Sequence, residues 1–362
     1  MQSNSYTTDE WIRRVSLVVS GDSNERDIGG SKGIDLSEMR FVFQTRAWDH
    51  QTFPTLQVRV YNLSDTTVKA ILAKGEYTEV VLKAGYREGW FSTIFRGTIK
   101  QFRTGRETPV DTFLDIFAAD GDLLNWAYVD ASLPPGTSRE DQARVLDEAS
   151  KAQAKIDAGT RNVALGDAQG VFQNGKAMYG LVTRGYDDIA YNSNASWHVW
   201  GGQLHIMKND SVLPGDAIVL NAQTGLIGMP EAAQDGVHVR CLLNPSIRPR
   251  SKIQINNGDI NKVHNPSIPD ASSNFANLTG QGPLQFFAST AVDGYYVVLY
   301  VEHQGDTRGQ PWYTEIVCAT YNSDTNRASA DLGSGYNAVN GAPFGSPGGA
   351  GPDVPDDDIT IR

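Results

Sequence analysis

The segment from Gly294 to Asn322 constrains the fold most, because it predicts two long strands joined by one polar turn. Apolar side chains alternate with their neighbours before the turn, and the same period resumes from Tyr313 onwards. Gly305 and Gly309 supply the backbone freedom that such a turn needs. The segment is therefore a predicted β-hairpin, and nothing in it resembles catalytic machinery.

The residues before this hairpin extend the same pattern. Gly225 to Asn256 predicts a strand ending near Met229, a turn rich in Pro, Asp and Gly, and two further alternating runs. Together with the hairpin, these runs predict one β-barrel, which begins near Leu213.

The first third of the chain predicts a second set of strands. Between Trp11 and Ala119 we expect six strands and one short helix, which Ser64 and Asp65 cap and Gly75 ends. The last two strands form a hairpin from Trp90 to Ala119 that turns around residues 104–107. Gly97 in mid-strand indicates a bulge or a close contact. These elements fit a closed barrel.

Helical periodicity appears between the two sets of strands. Asp120 is a candidate cap for a short helix, and Thr137 to Glu140 has a capping-box pattern before a longer one. A third helix is predicted over about Lys176 to Tyr191. Gly201 and Gly202 then predict a tight hairpin between two short strands. We interpret residues 120–210 as a compact α+β insert.

Two segments lack either period. Residues 257–290 form a 34-residue stretch rich in Asn, Ser, Pro and Gly, and loops of this length are usually functional or mobile. After Asn322 the composition narrows to Gly, Pro, Ser, Ala and Asp. Such a tail is either disordered or a strap that orders against a partner, and Ile359 and Ile361 favour the strap.

Charge and hydropathy exclude several classes of protein. The net charge of −11 argues against a basic face that grips nucleic acid; residues 331–362 carry −4 of it and residues 1–330 the other −7. Two explanations fit this charge equally well. The protein could line a tube whose acidic wall repels DNA, or the acidic residues could simply keep the surface soluble. We expect neither a membrane span nor a secretory signal, and therefore synthesis and assembly in a cytoplasm.

The cysteines and histidines predict no metal site. Cys241 and Cys318 lie on predicted strands of one barrel, where buried, reduced thiols are expected. His198 and His205 each lie three residues from the Gly-Gly turn, so they are predicted to face each other across it at the surface. Further zinc ligands are missing from the pattern.

Other candidate sites also favour structural interpretations. Asp187 and Asp188 are adjacent on a predicted helix and diverge by about 100°, which indicates a solvated face and not a catalytic pair. Glu302 and His303 point to opposite faces of a strand, and Asp306 is placed in the turn. Residues 345–351 lack the strand and helix that flank a phosphate loop. Most tryptophans, including Trp197, occupy predicted strands, where core packing is expected. We therefore predict no catalytic, cofactor or metal residue.

Specific motifs in the second barrel carry a family resemblance. In order, they are Gly-Leu-Ile-Gly at 225–228, Val-Arg-Cys-Leu-Leu-Asn-Pro at 239–245, Val-Glu-His-Gln-Gly-Asp-Thr-Arg-Gly at 301–309 and Trp-Tyr-Thr at 312–314. This order resembles the last barrel of baseplate hub proteins from contractile phage tails, which are related to the hub half of type VI secretion spikes.

The resemblance implies a mainly β fold with two tail-tube-like barrels, an α+β insert and a flexible C-terminal tail. The corresponding domains are residues 1–119, 120–212, 213–322 and 323–362. It also implies a structural protein of the virion baseplate, not an enzyme, and no cofactor. The expected homotrimer adapts the six-fold tail tube to the three-fold central spike.

The same resemblance implies a set of partners and leaves alternatives. The expected partners are the tube protein, the spike protein, and tape measure and wedge proteins, with DNA passing through the lumen unbound and no membrane insertion. The alternatives are the hub part of a type VI-like spike, a tail-associated cell-wall hydrolase, and a carbohydrate-binding module.

Overall fold

The computed structural model describes residues 12–20, 33–49, 52–73, 78–163, 165, 171–209, 211–233, 236–256, 261–262, 294–322 and 327–328. The fold is mainly β, as predicted, and its largest sheet curls like half a barrel. No helix within the described ranges is both long and apolar enough to cross a membrane. Most of the 257–290 stretch and of the tail after Asn322 lies outside the described residues.

The secondary structure falls into three consecutive groups. The first comprises β1 (Arg13–Ser20), β2 (Ile34–Asp35), β3 (Phe41–Trp48), β4 (Thr55–Tyr61), α1 (Asp65–Leu72), β5 (Glu79–Tyr86), β6 (Phe91–Arg106) and β7 (Thr112–Ala119). The second comprises a 3₁₀ turn (Asp122–Asn125), β8 (Tyr128–Leu133), β9 (Thr137–Ser138), α2 (Arg139–Ala154), β10 (Asp157–Asn162), β11 (Val171–Phe172), β12 (Lys176–Leu181), α3 (Val182–Asn192), β13 (Ala195–Trp200) and β14 (Gln203–Lys208). The third comprises β15 (Ile218–Leu220), β16 (Leu226–Ala233), β17 (Gly236–Leu242), β18 (Lys252–Ile255), β19 (Asn261–Lys262), β20 (Tyr295–Asp306), β21 (Trp312–Asn322) and β22 (Arg327–Ala328).

The first group follows the predicted alternation closely. Every second residue of β3 and β4 is buried, and Phe41, Phe43, Leu56, Val58 and Val60 among them share one apolar core. Ser64 caps α1 as predicted, but the helix ends at Leu72, before Gly75. The β6–β7 hairpin turns after Arg106, slightly later than predicted. Gly97 is a close contact: a Cβ there would lie 2.5 Å from the carbonyl oxygen of Ala119.

The second group has its own core, beneath α2 and α3. Ser138 caps α2 and shares a capping box with Asp141, so the box is shifted one residue from the predicted Thr137–Glu140 pair. The short helix is a 3₁₀ turn capped by Gly121 rather than Asp120. The Asp120 carboxylate instead accepts a hydrogen bond from the backbone N–H of Gly202, at 3.2 Å.

The predicted third helix is correct only in its second half. Residues Lys176 to Leu181 form β12, which pairs antiparallel with β8, and α3 begins at Val182. Gly180 has a φ of +130°, a conformation that an α-helix does not contain. The tight hairpin at Gly201 and Gly202 is confirmed, with both glycines at positive φ.

The third group buries a separate core, which includes both cysteines as predicted. Strand β16 does not end near Met229; it continues to Ala233 after an irregularity in its pairing with β17 between Ile227 and Glu231. The predicted hairpin from Gly294 to Asn322 is confirmed as β20 and β21.

One sheet runs through the first and third groups. Its strand order is β19-β16-β17-β21-β20-β3-β4-β7-β6-β5-β1-β2, and the junction is the antiparallel pair β20–β3. Trp312 from β21 is buried in the core of the first group. The sheet also curls far enough for Arg13 of β1 to donate hydrogen bonds to the carbonyl oxygens of Asp306, Gly309 and Gln310. The two groups therefore form one continuous structure.

Candidate interaction surfaces

A polar face covers seven neighbouring strands of the long sheet, from β17 across the junction to β6, on the side opposite the two cores. The strand registers align its side chains in rows, which are Arg240, Glu315, Glu302, Arg46 and Thr55; then Gln304, Gln44, Gln57 and Phe117; and then Arg59, Asp115 and Arg103. We call this surface the polar face. It is continuous across the β20–β3 junction.

Glu302 organises the centre of the polar face. Its carboxylate accepts hydrogen bonds from the side chains of Gln304, at 2.8 Å, and of Gln44, and it forms an ion pair with Arg46 at 3.3 Å. The phenol of Tyr300 also donates to it, and burial together with this hydrogen bond raises the pKa of Tyr300. Although only 7% exposed, Glu302 is therefore fully partnered.

Asp115 organises the polar face further along the sheet. Arg59 donates two hydrogen bonds to its carboxylate, at 2.7 and 3.1 Å, and Arg103 donates from Nε at 2.9 Å. Burial alone would raise the pKa of Asp115, but the bonds from Arg59 and Arg103 outweigh it and hold that pKa below its ordinary value. The carboxylate thus stays ionised and offsets part of the positive charge of Arg59 and Arg103.

Charge on the polar face is compensated locally. Glu315 pairs with Arg240, and Lys100 forms an ion pair with Asp122. Two shallow depressions of about 290 and 320 Å³ lie over β3 and β4, with Gln44 and Gln57 common to both. The chemistry of this surface is that of a neutral, hydrogen-bonding wall.

The two long hairpins end on the same side of the molecule. The four pairings that connect β20 to β6 are all antiparallel, so these two strands run in the same direction. Their turns, at residues 307–311 and 107–111, therefore lie at one end of the sheet. The second group of elements starts after Ala119, at the other end.

Arg250 joins the three groups at that other end. Its guanidinium pairs with Asp49 after β3 at 3.2 Å, and it donates to Ser196 Oγ of β13 at 2.9 Å and to the carbonyl oxygens of Asn209 and Ser211. It is 3% exposed and has a φ of +68°. A single buried cation thus holds the insert against both parts of the long sheet.

The predicted cross-strand pairing of the two histidines in the insert is confirmed, but their predicted exposure is wrong. His198 and His205 are directly opposite and stack with ring centroids 5.2 Å apart. They are buried, at 2% and 6% exposure, and not at the surface as predicted. The N–H of Thr160 donates to Nδ1 of His205, and burial lowers the pKa of His205 to about 4.

The remaining candidate residues make hydrogen bonds and ion pairs within the protein. Asp187 accepts a hydrogen bond from the indole of the buried Trp197, so it does not lie on the solvated face that we expected. Asp188 pairs with Lys176, and its side chain stays 39% exposed. His303 points away from Glu302 and contacts Thr314 Oγ1, as the strand period predicts.

Asp306 is the last residue of β20, and its carboxylate accepts hydrogen bonds from the backbone N–H groups of Arg308 and Gly309 in the turn. Residues 345–351 lie outside the described part of the chain. Within the residues that the structure describes, no three His, Cys, Asp or Glu side chains are arranged to hold a metal ion.

The polar face was missed from the sequence. Alternation in β3 and β4 placed Gln44 and Gln57 on one face of each strand, but not beside each other. The partnership of Gln44 with Glu302 depends on two strands separated by more than 200 residues of chain. The only sequence signal for this pairing of strands is the opposite charge of Arg46 and Glu302.

The described residues form a β-rich protein with a continuous polar face and two long hairpins that end on the same side. The family model described as Baseplate hub gp41 matches residues 56–270. The chain therefore belongs to this family of phage baseplate hub proteins, which are structural components of the virion tail.

Solved structures resemble the fold at very low sequence identity. A tail protein from Neisseria meningitidis has a TM-score of 0.50 at 9% identity, over 85% of this chain and 96% of that one. The 43 kDa tail protein of a Shewanella oneidensis prophage gives 0.49 at 7%, over 84% and 97%. A type VI secretion component from E. coli gives 0.45 at 8%, over 79% and 74%. No curated protein sequence matches the chain.

Proposed function

We propose that three copies of the chain form a ring that adapts the six-fold tail tube to the three-fold central spike. Family membership supports the location in the baseplate, and the continuous polar face is the observation that carries the proposal. In this arrangement each chain contributes two tube-like barrels, so three chains present six. The mechanism is binding and closure, not turnover.

The two cores of the long sheet support this division. The core of the first group and that of the third lie on the same side of one sheet, which leaves the polar face uncovered by either. We assign residues 1–119 and 213–322 to the two barrels, 120–212 to the insert and 323–362 to the tail. The polar faces of three chains would then line a common channel.

The polarity of the molecule suggests where the partners bind. We place the tube protein at the end with both hairpin turns, because this end presents two similar projections per chain. The spike, and the tape measure or wedge proteins, would contact the insert end. Assembly would take place in the cytoplasm of the bacterial host before incorporation into the virion.

The mass of the protein in solution tests the ring. We expect light scattering on a size-exclusion column to give three times the chain mass, both for the full chain and for a chain ending at Asn322. Permanent assemblies bury more than about 2,000 Å², so the trimer should persist on dilution. A trimer for the full chain alone would make the tail a strap between subunits. A monomer for both chains, at every concentration, would contradict the proposal.

DNA retention tests whether the polar face lines the channel. Thr55 and Gln57 are exposed on this face, so the double substitution Thr55→Lys and Gln57→Lys would add six cations to one channel. We expect the wild-type ring to release duplex DNA and this variant to retain it at low salt, with the affinity falling as salt rises.

A matched variant controls for charge alone. Thr66→Lys with Ser92→Lys adds the same charge at exposed positions of α1 and the start of β6, away from the rows of the polar face. This control should behave like the wild type in the same gel-shift titration. Equal retention by both variants would show that the polar face does not line the channel.

A further inference from the structure

The two-stranded ribbon formed by β8 and β12 exposes a cluster of large apolar side chains beside Asp130 and Ser132. Tyr179 is 83% exposed and Trp126, just before β8, is 82% exposed. Tyr128 and Leu181 are directly opposite each other on the same surface, and Tyr128 contacts Tyr179 edge to face with ring centroids 6.1 Å apart. Exposed apolar groups clustered in this way mark interaction sites.

One edge of this ribbon is already occupied by a side chain. The amide of Gln153 in α2 accepts from the N–H of Tyr128, at 3.0 Å, and donates to its carbonyl oxygen, at 2.6 Å. It thus makes both of the hydrogen bonds that a neighbouring strand would make there. The β8 edge is therefore closed at Tyr128.

These bonds also fix which backbone groups of β12 are free. Because both backbone groups of Tyr128 point towards Gln153, the groups that bond β8 to β12 belong to the alternate residues. On β12 the outward-facing N–H and C=O groups are then those of Ala177 and Tyr179. No backbone group in the described part of the chain bonds to them. This edge can accept one more strand.

The sequence of the chain contains a segment that fits this edge. Ile359, Thr360 and Ile361 have strand-favouring, β-branched side chains, and three aspartates precede them. In an antiparallel pairing, Ile361 would lie opposite Tyr179 and Ile359 opposite Leu181, with both isoleucines on the apolar surface. We propose that residues 359–362 add to β12 as a third strand.

Charge and reach support this occupant. In the antiparallel register, Asp358 would lie next to the first turn of α3. Arg184 in that turn is exposed and forms no ion pair with any described residue. Thirty residues, 329–358, lie between Ala328, the last described residue, and Ile359. A flexible linker of this length spans about 30 Å on average, which is the diameter of a small domain.

Hydrogen exchange of the Tyr179 amide in the full chain tests this inference. We expect exchange at least about tenfold slower in the wild type than in the variant Ile359→Ser with Ile361→Ser, because β-addition protects the outward N–H groups. The conservative variant Ile359→Val with Ile361→Val should keep the protection. The Val129 and Gly180 amides, within the ribbon, should not change.

A cross-link gives a second, independent measurement. Tyr179→Cys with Ile361→Cys places two thiols at directly opposed positions, so oxidation should join them, whereas Tyr179→Cys with Thr360→Cys should not react. Equal exchange rates in the wild type and the serine variant, without cross-linking, would overturn the inference. It does not depend on the proposed ring, which the mass measurement tests separately.

Discussion

Replacing Arg250 by alanine is expected to lower the free energy of unfolding by about 3–5 kcal/mol, the range for removing one partner of a buried ion pair. The substitution would leave the Asp49 carboxylate without its cation, and Ser196 and two carbonyl oxygens without their donor. Since these groups belong to three parts of the chain, the loss should also loosen the insert. Urea unfolding monitored by tryptophan fluorescence measures the change.

Arg248 provides a matched control two residues away. Its side chain is exposed, so Arg248→Ala should change the free energy of unfolding by less than about 0.5 kcal/mol. The pair Arg250→Ala and Asp49→Asn should be non-additive in a double-mutant cycle, because the second change removes the charge that the first leaves unpaired. If Arg248→Ala cost as much as Arg250→Ala, the effect would not come from the buried ion pair.

Local sequence period was sufficient to predict the long strands. In β3 and β4, alternate residues are buried while most of the others lie on the polar face. In the β20–β21 hairpin the same period holds near the turn, whereas Val297, Ala319 and Tyr321 form a separate buried cluster. The same reasoning found the caps of α1 and α2 within one residue, because capping depends on neighbouring backbone groups alone.

Prediction failed where long-range contacts override local preference. Met178 and Leu181 are spaced as on a helix, yet they lie on β12, which is held by β8 more than forty residues earlier in the chain. The sequence predicted a surface pair for His198 and His205 because the pattern lacks the further ligands that a buried zinc site requires. In the structure the parallel strand β10 covers the outer edge of β14 and helps to bury it.

The polar face could not be predicted for a similar reason. Strand period assigns side chains to one face of their own strand, but the order β21-β20-β3-β4 is a property of the whole topology. The sequence pattern compares Glu302 with His303 and Asp306, its neighbours in sequence, and argues against a catalytic role, but it does not identify the residues that Glu302 contacts. Its actual partners, Gln44 and Arg46, come from a strand near the start of the chain.

Two buried histidines should make the protein unstable in acid. Burial lowers the pKa of His205 to about 4 and that of His303 to about 3, from an ordinary value of 6.5. Below 6.5 the unfolded chain binds these protons and the folded chain does not, so stability is lost as the pH falls from 6.5 towards 4. Each histidine should cost about 2–3 kcal/mol by about pH 4.5.

Substitution by a neutral residue separates the titration of these two histidines from that of the other histidines and the carboxylates. We compare the free energy of unfolding of each variant with that of the wild type by urea unfolding at about pH 7.5 and at about pH 4.5. For His205→Gln and for His303→Gln, this difference should shift in favour of the variant by about 2–3 kcal/mol at the lower pH.

Asp120 should act in the opposite direction, because burial raises its pKa from 3.8 to about 7. The folded chain keeps this proton over a pH range in which the unfolded chain releases it, so the stabilisation is lost as the pH rises from 3.8 to about 7. The stability of Asp120→Asn relative to the wild type should therefore increase as the pH rises. The relative stability of the two histidine variants should increase as the pH falls. Parallel pH profiles for all three variants would contradict this assignment, because burial cannot shift a carboxyl group and an imidazole in the same sense.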